Sequence, residues 1–91
     1  MKIDIDVKAL KAFLEACDDA EAVGADEYVL DLYDVSRPAS LDLVLTGDGC
    51  DALAARALQY DAEQDGWYLG EEIAEPETIA ALLREGMAQA Q

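Results

Sequence analysis

The stretch Asp51-Ala52-Leu53-Ala54-Ala55-Arg56-Ala57-Leu58-Gln59-Tyr60-Asp61 decides the fold, because two periodicities compete in it. Leu53, Ala54, Ala57 and Leu58 are spaced as one face of a helix, and Asp51 stands where an N-cap would. The many alanines favour a helix as well. Against this, residues 54–61 can run as a strand and turn back on Trp67-Tyr68-Leu69. The intervening Ala62-Glu63-Gln64-Asp65-Gly66 has the character of a hairpin loop ending in glycine. That pairing sets Tyr60 and Trp67 on either side of the loop as a cross-strand aromatic pair. The hairpin is the favoured reading. The helical one, with residues 51–60 helical, is the alternative and leaves a three-stranded sheet.

Upstream, Thr46-Gly47-Asp48-Gly49 is a turn, preceded by the alternating run 41–46 with Leu41, Leu43 and Leu45 pointing inward. Residues 27–35 are rich in β-formers: Tyr28, Leu30 and Leu32 share one face, and Val29, Asp31, Tyr33 and Val35 share the other. Ser36 to Ser40 is a turn-type connector, so the two runs form an antiparallel hairpin. Residues 6–20 read as an amphipathic helix capped by Asp6, with Val7, Leu10, Phe13, Leu14 and Cys17 along one face. Asp18, Asp19 and Glu21 then fall at its C-terminal end, where the macrodipole disfavours each anion by about 0.3–1 kcal/mol. Something other than helix stability must have placed them there. Residues 2–5 alternate as a short edge strand would. Downstream, Pro76 suits the first turn of a second helix, along which Ile79, Leu82, Leu83 and Met87 form a stripe. Gly86 weakens its end, and the tail from Ala88 to Gln91 is expected to fray.

The expected architecture is therefore a single α+β domain over residues 1–91. A four-stranded antiparallel sheet carries an N-terminal and a C-terminal helix on one face, with the other face left to solvent or a partner. Ninety-one residues suit one domain. With 53% of residues hydrophobic and a mean hydropathy of −0.01, a folded chain is favoured over a disordered one.

Charge is the dominant compositional fact. Twenty-one Asp and Glu face six Lys and Arg, with no His, for a net of −15. Such a surface repels phosphate backbones and anionic lipid, so direct nucleic-acid and membrane binding are excluded. Without histidine, imidazole-based nucleophile activation and most zinc sites are excluded too. Cys17 and Cys50 form no CxxC, and two cysteines make no disulfide framework. Cys17 reads as a small core residue. The N-terminus has no signal-peptide character and no run of 18 apolar residues occurs. A cytoplasmic protein with reduced thiols is expected.

Local chemistry is sparse. Asp48-Gly49-Cys50-Asp51 lacks the order of a calcium loop and its bidentate Glu. Gly47 and Gly49 are not followed by the Lys of a phosphate loop. Ser36 and Ser40 have no base beside them. Glu71-Glu72 reads as solvated surface. The chain is expected to be no enzyme and to hold no metal or cofactor.

The charge is also unevenly distributed. Residues 1–11 hold three Lys and two Asp, whereas Glu15 to Asp34 holds eight acids and no base, and residues 57–83 hold seven acids and no base. The usual i,i+4 pairing with Lys is missing. Solubility or salt adaptation produces such a composition. So does a surface made to meet a cationic partner, which offsets the self-repulsion it costs. Asp31 and Asp42 are expected as near neighbours on the outward sheet face. Tyr33, Tyr60, Trp67 and Tyr68 can hold a Lys stem or Arg guanidinium beside a carboxylate.

In its size, single-domain build, acidity and lack of catalytic residues, the chain resembles small phage-encoded DNA-mimic inhibitors, including some anti-CRISPR proteins. The resemblance is one of general character across the chain and rests on no motif. It implies a non-catalytic inhibitor whose carboxylates stand in for phosphates in the basic groove of a defence complex, such as a CRISPR effector, in the host cytoplasm. The candidate partner-binding residues are Asp26, Glu27, Asp31, Asp34, Asp42, Asp61, Glu63, Asp65, Glu71 and Glu72. The chain itself would be a monomer or weak dimer. Two other classes fit the composition: an immunity protein or antitoxin that neutralises a basic nuclease or toxin, and an acidic phage structural or assembly protein using Val29, Tyr33 and Val35 as an apolar patch.

Overall fold

A computed structural model describes residues 1–90. The elements in chain order are β1 (Lys2–Ile3), α1 (Val7–Ala16), β2 (Ala20–Gly24), β3 (Glu27–Leu32), β4 (Ala39–Leu45), β5 (Cys50–Asp61), β6 (Gly66–Glu72) and α2 (Pro76–Gln89). The sheet has six antiparallel strands rather than four, with β1 and β6 both pairing with β5 and the path continuing β5-β4-β3-β2. Strands β2 to β6 form a meander, and β1 adds at the N-terminal half of β5.

The contested stretch is a strand throughout, and it begins earlier than expected, at Cys50. Asp51 therefore caps no helix; it lies in β5 opposite Val44. The alanines work here because they are small. Ala52 and Ala55 are buried in the same cluster as the helices' apolar residues, so the alanine floor lets both helices sit close to the sheet. A bulge explains the mixed periodicity. Asp42 pairs with Ala54 and Leu43 with Ala52, so Leu53 is an extra residue, exposed to solvent. Inward positions run 50 and 52, then resume at 55, a spacing that matches neither a plain strand nor a helix.

Helix α1 starts as the sequence indicates. The Asp6 carboxylate accepts the N–H groups of Lys8 at 3.0 Å and Ala9 at 3.2 Å, a cap that typically stabilises by about 0.5–2 kcal/mol. It ends at Ala16, four residues short of the expected end. Cys17 is the extended C-cap and still packs against the core from its half-buried position. Asp18 and Asp19 lie in a turn and Glu21 in β2, so none of them sits on the helix dipole. Residues 33–35 likewise leave the strand: β3 stops at Leu32, and Val35 packs against the core instead of pointing outward.

One face of the sheet is covered. Leu30, Leu41, Leu43, Cys50 and Ala55 pack with Leu10 and Leu14 of α1 and Ile79, Leu82 and Leu83 of α2 in one core. Both helices therefore lie on the same side, as expected. Gly86 does not end α2. It is buried where the helix crosses β3, and a Cβ there would meet Leu32 Cδ2 at 2.8 Å. Helix α2 runs to Gln89, with the Ala90 N–H donating to the Gly86 carbonyl; of the expected frayed tail, Gln91 lies outside the described residues. The molecule is elongated, 43 × 25 × 24 Å, and twelve-residue β5 accounts for the length, since a strand rises about 3.3 Å per residue. Its last turn of sequence, with β6, extends past the end of β4.

Candidate functional site

The helical layer is electrically neutral. Helix α1 carries Lys8, Lys11 and Glu15; α2 carries Glu77, Arg84 and Glu85. The entire net charge of −15 therefore resides in the strands and their connections. Among the described residues only Asp26, Asp48 and Asp51 have a cationic partner within 4.0 Å: Lys11 at 3.6 Å, Lys2 at 2.8 Å and the N-terminal amine at 2.6 Å. Lys2 and Asp48 shift each other as an ion pair should. Their hydrogen bond raises the amine and lowers the carboxyl.

The open sheet face has a centre at Val29. Its cross-strand partners are Glu21 on β2 and Asp42 on β4. Its same-face neighbours along β3 are Glu27 and Asp31. Direct cross-strand partners stand about 4.5–5.5 Å apart between Cβ atoms, and i±2 neighbours on a strand about 6.5–7 Å apart. Four carboxylates thus ring one half-buried valine, and none has an ion-pair partner among the described residues. Each lies within a Debye length of Val29, about 8 Å at physiological ionic strength, so a charge approaching Val29 feels all four. They are too spread for chelation: no cluster of three or more His, Cys, Asp or Glu that could hold a metal occurs among the described residues.

The next row across the face reads Asp31, Ser40, Arg56, Glu72 from β3 to β6. Arg56 is the one base on this side of β3 to β6, and its guanidinium is engaged by the Gly70 carbonyl. Beyond this row stands an aromatic group. Trp67 packs against Tyr60, its cross-strand partner, at 5.4 Å between ring centres and against Tyr33 at 5.3 Å. The Tyr33 hydroxyl faces Asp31 Oδ2 at 3.5 Å. Burial, then the Asp31 and Asp19 charges, push its phenol up. A shallow cleft of about 210 Å³ adjoins it, rimmed by Asp19, Asp31 and Asp34 over Phe13, Cys17 and Leu32.

The ten candidate carboxylates fall into separate groups. Glu27, Asp31 and Asp42 come together around Val29, with Asp31 and Asp42 diagonal neighbours. Glu72 lies two strands further on, across Arg56, and Glu71 in the bulged part of β6. Asp34 sits at the cleft. Asp61, Glu63 and Asp65 are at the hairpin tip, where Asp61 accepts the N–H groups of Glu63 and Gln64 at 3.0 and 3.4 Å. Asp65 holds φ 51° and accepts the Tyr60 hydroxyl, a bond that raises the Tyr60 phenol. Asp26 turns the chain between β2 and β3 with φ 58°. Asp tolerates this left-handed conformation better than most residues. These three aspartates thus shape turns as well as carrying charge. Glu21 joins the ring from β2, a strand that the sequence pattern assigns to the end of the helix; the excess of anions after α1 is the signal that points to it. Val29, Tyr33 and Val35 form no common apolar patch: the first is ringed by acids, the second stacks on Trp67, and the third joins the core.

Both cysteines are free thiols. Cys50 is buried, and burial pushes its thiol up to about 11. Among the described residues no helix is long and apolar enough to cross a membrane. Compared with known protein families, curated proteins and solved structures, the chain matches none.

Proposed function

We propose that the protein is a non-catalytic binding module whose open acidic sheet face occupies a cationic surface that otherwise holds nucleic-acid phosphates. The segregation of charge carries this reading. A protein made acidic only for solubility gains equally from carboxylates on every element, yet here the two helices carry no net charge and the strands and their connecting loops hold the surplus. Four unpaired carboxylates around Val29 repel one another, and a cationic partner relieves that repulsion. The adjoining Tyr33, Trp67 and Tyr60 offer ring faces to Arg or Lys. In keeping with the acidic phage-encoded inhibitors that the chain resembles, the partner is a nucleic-acid-binding complex of host defence, of anti-CRISPR target type, and the action is competition with DNA.

The test is capture of a partner from cell lysate by the tagged protein, with and without excess duplex DNA. Release by DNA and by salt supports the proposal, because charge-driven association weakens as salt screens it. The variant Glu21→Gln/Glu27→Gln/Asp31→Asn/Asp42→Asn should capture nothing. Capture indifferent to DNA and salt overturns the reading. A small dedicated toxin as the partner would move the protein to the antitoxin class with the same binding face.

A further inference from the structure

Strand β6 is a free sheet edge: among the described residues it pairs with β5 and with no other strand. Folded proteins usually guard such an edge with Lys, Pro or a covering segment, because its open N–H and C=O groups pair readily with another chain. Residues 66–72, Gly-Trp-Tyr-Leu-Gly-Glu-Glu, contain neither Lys nor Pro. The only guard is the bulge between Leu69 and Glu72, which leaves Gly66–Leu69 in regular register. This stretch holds the densest exposure of large apolar side chains in the molecule, with Trp67 44%, Tyr68 50% and Leu69 54% exposed. The hairpin projects past the end of β4, so these side chains cover no core.

We propose that the outer edge of β6 accepts an extended, cationic segment of a partner protein by strand addition. Charge complementarity selects the occupant. Asp61, Glu63 and Asp65 bracket the edge at the hairpin tip, and Glu71 and Glu72 bracket it at the other end, while the nearest base, Arg56, is spent on the Gly70 carbonyl. A concavity of about 340 Å³ at the hairpin tip, where β6 begins, is lined by Asp61, Gln64, Gly66, Trp67 and Tyr68. It joins a carboxylate to two ring systems, which suits an Arg or Lys side chain. A second copy of the chain does not suit the edge. Antiparallel self-pairing through Tyr68 would set the tip acids of one copy beside Glu71 and Glu72 of the other, with −15 on each body. Main-chain pairing would supply affinity, and alternate side chains specificity. The inference rests on the proposed cationic partner and says where one part of it sits.

The probe is the peptide acetyl-Arg-Val-Arg-Val-Arg-Val-Arg-amide, paired with a version N-methylated at its valines, which keeps the charge and removes donors for pairing. Binding is followed by amide spectra and by hydrogen exchange of the full chain. The unmodified peptide should shift and protect amides within 66–70, slowing their exchange about tenfold or more, and should bind about tenfold tighter than the methylated one. Leu69→Lys, with its fold verified by circular dichroism, should weaken binding about tenfold, whereas Glu77→Lys on α2 should change it less than about twofold. Equal affinity for both peptides overturns strand addition, as does a dimer of the protein alone formed through residues 66–70. Shifts confined to 27–31 and 40–44 overturn it too, but leave the acidic-face reading standing. No binding of either peptide to any part of the surface sinks both.

Discussion

Strands β3 and β4 present two faces built from the same residues taken alternately. On one, Leu30 and Leu41 are 0% exposed and lie opposite each other beneath the helices. One position along, Val29 and Asp42 lie opposite each other in the open, inside a group of unpaired carboxylates. The covered face specifies the fold, and the open face is free to carry charge that the fold does not need. Alternation therefore lets one stretch of backbone serve stability and recognition with little interference.

The comparison breaks most visibly through paired substitutions. Leu41→Ala should cost about 2–5 kcal/mol by urea denaturation, since it removes buried volume and leaves a cavity. Asp42→Asn, its neighbour on the open face, should change stability by less than about 0.5 kcal/mol. A large loss at Asp42 would mean that the open face has a structural role. Gly49→Ala should come next, at about 1–3 kcal/mol. A Cβ there would meet the Ile3 carbonyl oxygen at 2.8 Å, which as backbone cannot swing aside. The first bond to suffer should be Ala52 N–H to the Met1 carbonyl, at 2.7 Å, seen as faster exchange of that amide.

Salt sharpens the contrast at lower amplitude. If the open face is self-repelling, the melting temperature at pH 7 should rise as salt increases from low to moderate levels, and the variant neutralised at Glu21, Glu27, Asp31 and Asp42 should rise less. A separate effect is expected at alkaline pH. The Cys50 thiol is raised from 9.0 to about 11 by burial. Between those values the unfolded chain has released a proton that the folded chain keeps, so stability should fall as pH rises through that window. Cys50→Ala should flatten the slope while lowering stability throughout.

Much of the covered face was legible in the sequence. Leu41, Leu43 and Leu45 alternate strictly, Tyr28, Leu30 and Leu32 do the same, and the structure buries all six. The Tyr60–Trp67 pair was legible because a loop with turn chemistry separates two β-forming runs. Two features were not. The bulge at Leu53 shifts the phase of β5 midway, so no single period describes it. Strand β2, Ala20 to Gly24, holds one β-branched residue and owes its conformation to pairing with β3. With β2 hidden, Glu21 could not be placed beside Val29, and the ring of four acids appeared as only part of itself. The misplaced anions after α1 were the trace it left: the helix ends before them.

The central claim is that the carboxylates around Val29 form the place where a cation prefers to bind. It is tested most directly by titrating the ¹⁵N-labelled protein with the flexible peptide acetyl-Lys-Gly-Lys-Gly-Lys-Gly-Lys-amide, which has charge but little tendency to pair as a strand. The account predicts amide shifts concentrated at Glu21, residues 27–31 and residues 40–44, fading as salt is added. Shifts spread evenly over the surface, with those on α1 and α2 as large as those on β3 and β4, would contradict it.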